Sequence, residues 1–99
     1  MMTEIQFVKI ATSDTLTQYI QDKIAPLEAK YPWLIKAQVF IKKINDPKGN
    51  TCVCEIEMSL PGPRIFASST EGNYETAVKN TLSDIEKQLK KRKQTIISH

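Results

Sequence analysis

Histidine is nearly absent from this chain of 99 residues: there is one, at the C-terminal position His99. An imidazole base on a rigid element is therefore missing, which excludes Ser-His-Asp and Cys-His nucleophilic catalysis. Cysteine occurs twice, in Cys52-Val53-Cys54. Two thiols make no disulfide framework, and without a second Cys/His pair they complete no tetrahedral metal site. At i and i+2 of a strand their Cα atoms stand too far apart to be bridged. Buried small hydrophobes is the expected role for both. Glycine is scarce as well: Gly49, Gly62 and Gly72 each sit beside a turn signal, and none belongs to a phosphate-cradling loop. No uncharged apolar run nears the roughly 18 residues of a membrane span. Met1-Met2-Thr3-Glu4 lacks the basic segment and apolar core of a secretory signal. No catalytic residue, metal, cofactor or small-molecule substrate is expected, and an enzyme is not the reading the composition supports.

What the chain does contain suits one soluble domain. It is 40% hydrophobic and 25% charged, with 14 Lys plus Arg against 11 Asp plus Glu, so the net charge is only +3. That is enough apolar content for a modest core. Ile5–Ile10 is a β-prone run. From Leu16, apolar residues recur at Tyr19, Ile20, Ile24, Leu27 and Tyr31, the spacing of one helix face. Asp14 or Thr15 is the expected N-cap, Pro26 is expected to kink the helix near 22–26, and Tyr31-Pro32 ends it.

Residues 34–43 alternate, with Ile35, Ala37, Val39 and Ile41 on one face and Lys36, Gln38, Phe40 and Lys42 on the other. A turn follows at 45–50. Residues 51–60 alternate again, with Cys52, Cys54, Ile56, Met58 and Leu60 inward and Val53, Glu55, Glu57 and Ser59 outward. Glu55 and Glu57 are expected to be cross-strand partners for the lysines of 34–43 rather than a catalytic pair. After Pro61-Gly62-Pro63 comes a short strand with Ile65 and Ala67 inward. A long helix then carries Tyr74, Ala77, Val78, Leu82, Ile85 and Leu89 on one face, with Asn73 as its cap. Its expected end is near residue 94, with a flexible tail from about 95.

The order β-α-β-β-β-α predicts an α+β fold. It should be a two-layer sandwich in which a four-stranded mixed sheet carries two helices on one face. The first βαβ step should be a right-handed crossover with parallel strands, and the rest an antiparallel meander.

Charge is concentrated at one place. Lys87-Gln-Leu-Lys-Lys-Arg-Lys93 has five basic residues in seven, and no acid follows Glu86. Advancing by 100° per residue sets Lys79, Lys87 and Lys90 opposite Leu82, Ile85 and Leu89. Lys91 and Lys93 widen that face, and Arg92 continues the apolar side. Lys23 and Lys30 edge the apolar stripe of the first helix. Complementing the helix dipole accounts for one or two such charges, not five with no interleaved acid. The face is expected to bind a polyanion, and RNA rather than a membrane, because no bulky apolar face accompanies the charge. The candidate RNA-binding set is Lys23, Lys30, Lys79, Lys87, Lys90, Lys91, Arg92 and Lys93.

Three stretches resemble a known family. They are Leu16-Thr-Gln-Tyr-Ile-Gln-Asp-Lys-Ile-Ala-Pro-Leu-Glu28, Ile65-Phe66-Ala67 after a Pro-Gly turn, and Tyr74-Glu-Thr-Ala-Val78 with Lys87-Gln88-Leu89-Lys90-Lys91. Together with the element order, they are similar to the ribosome hibernation promoting factors, also called ribosome-associated inhibitors or sigma-54 modulation proteins. The resemblance covers essentially the whole chain. It implies a cytoplasmic bacterial or plastid protein, monomeric off the ribosome, that binds the small ribosomal subunit over the messenger and transfer RNA sites. Translation is then blocked and ribosomes are stored under stress or in stationary phase. It also implies that the basic faces of both helices meet ribosomal RNA. The chain departs from many members at Pro26, where they have lysine, and at Lys79, where they have an acid. It looks like a short form, without the further C-terminal domain of long members. A general RNA-binding module or RNA chaperone is the alternative. An acylphosphatase-like enzyme is disfavoured because Ala11-Thr-Ser-Asp-Thr15 carries neither glycine nor arginine. A protein-docking sheet face bearing Phe40 and Phe66 has little apolar area behind it.

Overall fold

The structure, a computed structural model, describes residues 1–97. The chain runs β1 (Met2–Phe7), α1 (Asp14–Lys30), β2 (Lys36–Lys43), β3 (Cys52–Ser59), β4 (Ile65–Glu71) and α2 (Tyr74–Ile97). The strands form one sheet in sequence order, β1-β2-β3-β4. β1 and β2 are parallel, and the other two pairs are antiparallel. The expected α+β sandwich is the fold observed.

Register explains why one face becomes the core. Ile5, Val39, Ile56 and Ala67 are successive cross-strand partners, as are Thr3, Ala37, Met58 and Ile65. Because side chains alternate, those rows point the same way and make one apolar face. Against it lie Leu16, Ile20, Ile24 and Leu27 of α1, and Ala77, Val78, Leu82, Ile85 and Leu89 of α2, in a single core. Each large aliphatic side chain so buried contributes on the order of 1.5–3 kcal/mol. Cys54 is fully buried and Cys52 nearly so, both as free thiols. Burial pushes the Cys54 thiol up to about 11, against the smaller opposing effect of a Thr81 hydrogen bond. Thr81 itself is buried, its hydroxyl shared between the carbonyls of Ala77 (2.7 Å) and Cys54 (3.2 Å), so it ties α2 to β3.

Four local expectations differ from the structure. The N-cap of α1 is Ser13, not Asp14 or Thr15: its extended backbone lets Oγ accept from the Leu16 amide at 3.1 Å. Asp14 is already helical and complements the dipole in the first turn. Ile35 is 59% exposed, because Leu34, whose amide bonds the Tyr31 carbonyl, turns into the core in its place. Val53 is buried on the opposite face, between Lys42 and Thr70 in register. The two glutamates divide their partners: Glu55 takes Lys42 at 2.8 Å, but Glu57 takes Arg64 at 2.7 Å.

Pro26 lies inside α1, and the helix continues through it. Asn73 caps α2 as expected, its Oδ1 accepting from the Thr76 amide at 2.8 Å. α2 runs 24 residues, roughly 36 Å at about 1.5 Å per residue, so it passes the expected end near 94. The last part of the expected tail, with His99, lies outside the described residues.

Candidate nucleic-acid interface

Three contacts fix how the helices lie together. The Tyr19 hydroxyl donates to the Glu75 carbonyl at 3.4 Å, Lys30 pairs with Glu86 at 2.8 Å, and Lys93 Nζ sits 5.9 Å from the Tyr31 ring centroid. Residue numbers rise together along both helices, so the helices point the same way. Both negative dipole ends then fall at one end of the molecule, where Lys30 and the run from Lys87 to Lys93 are placed.

Between the helices lies an open groove of about 320 Å³, lined by Lys23, Pro26, Leu27 and Lys30 of α1 and Lys79, Leu82, Ser83 and Glu86 of α2. Three of the eight candidate residues thus meet in one place, with a single acid among them. Lys79 shares this groove with Leu82 rather than standing opposite it. Three residues at 100° each bring Lys79 to within about 60° of Leu82, so the two are neighbours on the helix and the expected opposite placement does not hold.

The lysines are held differently. Lys30 donates to Glu86, and that hydrogen bond is the main reason the Glu86 carboxyl is held below its ordinary range and the Lys30 ammonium above its own. Lys90 adds a smaller lowering of Glu86. Lys23 lies 5.4 Å from the Tyr19 ring centroid, one helical turn away. Lys30 and Lys93 both approach Tyr31, which is itself buried and meets Trp33 edge-on at 5.6 Å. By contrast Lys79, Lys87, Lys90 and Lys91 are exposed and join no ion pair among the described residues.

Arg92 has another task. Its Nη1 donates to the carbonyls of Pro61 and Pro63, both at 2.9 Å, and clamps the β3–β4 turn onto α2. Gly62, at φ +94°, makes that approach possible, since a Cβ there would stand 2.9 Å from the same nitrogen. The helical projection already set Arg92 off the lysine face.

Sequence reasoning overlooked Tyr19, Tyr31, Ser83 and Glu86 as parts of this surface. The Tyr19–Lys23 spacing of four was a legible signal. The Lys30–Glu86 pair was not, being 56 residues apart. Among the described residues no three His, Cys, Asp or Glu side chains gather as a metal site, and no helix is long and apolar enough to cross a membrane.

Residues 3–96 match the family described as sigma 54 modulation protein / S30EA ribosomal protein. The chain belongs to that family. The solved structures it resembles include a ribosomal subunit interface protein from Coxiella burnetii, with a TM-score of 0.82 at 19% identity over 94% of this chain and 98% of that one. Another is the N-terminal domain of Thermus thermophilus Protein Y, with a TM-score of 0.74 at 21% identity over 90% and 93% of the two chains. At such identities the likeness establishes the shared fold. Among curated proteins nothing matches the sequence.

Proposed function

We propose that this protein associates with the ribosome and binds the small subunit through its RNA, covering the messenger and transfer RNA sites. It would inhibit translation there and favour storage of idle ribosomes under stress. The observation that carries this is the unbalanced cation surface: a groove with Lys23, Lys30 and Lys79 opening beside exposed Lys87, Lys90 and Lys91, which join no ion pair among the described residues, in a chain of the S30EA family. Lysine clusters of this kind contact phosphates and give affinity without reading base sequence. Position must therefore come from the shape of the two-helix face, and inhibition from occupancy rather than reaction. The expected set narrows to Lys23, Lys30, Lys79, Lys87, Lys90, Lys91 and Lys93, with Arg92 holding the turn beneath them.

Sedimentation on sucrose gradients tests the proposal. The protein should travel stoichiometrically with the small subunit, suppress translation in a cell-free system, and bind an unrelated RNA duplex far more weakly. Equal affinity for the duplex would favour the general RNA-binding or chaperone reading instead.

A further inference from the structure

The end of the sheet farthest from the basic helix tip holds a second concentration of lysine. β1 and β2 both finish there, after β2 has run eight residues, roughly 25 Å at about 3.3 Å each, away from the C-terminal end of α1. The Val8 amide extends the parallel ladder by donating to the Ile41 carbonyl at 2.9 Å. Lys9 then takes φ +59°, the left-handed region a lysine seldom adopts, and the chain leaves the sheet. Between this corner and the end of β2 lies an open groove of about 440 Å³, lined by Lys9, Lys42 and Lys43 with Val8, Ile10 and Ile44.

No carboxylate lines this groove. Asp46, the acid just beyond it in sequence, turns its side chain to the Lys48 amide at 2.9 Å. Lys42 is balanced by Glu55 at 2.8 Å. Lys9 and Lys43 are exposed and join no ion pair among the described residues. Ile44 is 44% exposed at the same place. Two uncompensated cations beside an exposed aliphatic surface suit a sugar–phosphate backbone, with phosphate on the lysines and ribose on the isoleucines.

We propose that the Lys9–Lys43 groove is a second RNA-backbone site, so that the protein spans two RNA segments, one at each end of its long axis. The molecule is 49 Å long and only 25 and 18 Å across, and RNA held at both ends would fix its orientation as one basic end alone does not. The proposal rests on the ribosomal RNA reading above and extends it to an opposite surface.

The test measures affinity for purified small ribosomal subunits across a salt series. Lys9→Gln with Lys43→Gln should reduce the slope of log affinity against log salt by about one to two units and weaken binding roughly tenfold at moderate salt. Lys36→Gln with Lys48→Gln, the same charge change outside the groove, should leave the slope unaltered. Combining the groove pair with Lys87→Gln, Lys90→Gln and Lys91→Gln should lower the slope by the sum of the two effects. A groove variant with wild-type slope and affinity, beside a weakened helix variant, overturns the second site and leaves the ribosomal reading standing. Wild-type protein that shows no salt-dependent subunit binding overturns both. A groove variant that loses binding to phosphatidylserine vesicles while keeping subunit binding makes the groove a lipid-facing patch, and the proposal fails. Circular dichroism melts of each variant confirm that the fold is retained.

Discussion

The two helices share one face of the sheet and one direction, yet they carry their lysines in opposite ways. On α1, Lys30 is tied to Glu86 and Lys23 lies over Tyr19. On the outer flank of α2, Lys87, Lys90 and Lys91 join no ion pair among the described residues and project into solvent, Lys90 exerting only a weak pull on Glu86. Counting cations would rank them alike, but a paired lysine releases its partner before it takes a phosphate, whereas a free one releases only mobile counterions. The contrast assigns binding strength to α2 and positioning to α1. Repulsion among the free lysines is tolerated because both helix C-termini lie at that end and offset it.

The largest effect should come from α2. Lys87→Gln, Lys90→Gln and Lys91→Gln together should lower the salt slope by about two to three units, at roughly 0.7–0.9 per phosphate. Subunit binding should fall on the order of 100-fold at moderate salt, and translation should recover in parallel. The thermal midpoint should stay constant or rise slightly, since none of the three touches the core. Wild-type affinity in this variant would reduce the run to a solvated helix end.

A smaller effect in the opposite direction should follow from releasing α1. Glu86→Gln frees Lys30 and should strengthen subunit binding about fivefold, with the slope rising by up to one unit. Adding Lys30→Gln should return affinity close to wild type; if it does not, Glu86 is no competitor for the phosphate. The pair also sets an acid dependence. Glu86 has a lowered folded pKa, so its contribution to stability is present above the ordinary value of 4.5 and is lost as pH falls through the depressed one. Lys30 is raised, so its share persists up to its ordinary 10.5 and disappears above the elevated value. Melting curves of wild type and Glu86→Gln should therefore differ by a constant amount from pH 6 to 9 and converge only once the pH has fallen below the depressed Glu86 value.

Pro26 gives a subtler comparison: its ring lines the groove, and it lacks the amide that an ordinary helix residue would donate to the Asp22 carbonyl. Pro26→Ala should leave stability unchanged or raise it by about 1 kcal/mol, below the roughly 3 kcal/mol intrinsic penalty, since the helix already accommodates the ring. Pro26→Lys should strengthen RNA binding by adding a cation to α1. A marked loss of stability in Pro26→Ala would mean the ring packs better than any replacement.

The smallest effect is expected beneath both helices. With its thiol pushed up to about 11, Cys54 should resist alkylation at pH 8 in the native protein and react only on unfolding. Replacing Cys52 and Cys54 by Ala should leave subunit binding unaltered in folded protein. Lost binding at retained fold would give the thiols a role that their burial argues against.

Periodicity in the sequence by itself determined the element order, the inward rows of β2 and β3 and the apolar face of α2. These follow from spacings of two and of three to four residues, which local geometry sets without reference to partners. The cap at Asn73 followed from residue type at the helix start. The lysine run was equally legible, being contiguous. Tertiary structure alone decided which cations remain free. The Lys30–Glu86 pair joins residues from different helices, Arg92 reaches carbonyls about 30 positions earlier, and Lys79 turns out to share the interhelical groove. The second basic groove likewise exists only because parallel pairing brings the end of β1 beside the end of β2. Charge content is a property of the chain, but charge availability depends on distances across the fold, because an ion pair forms between side chains within about 4 Å whatever their separation in sequence.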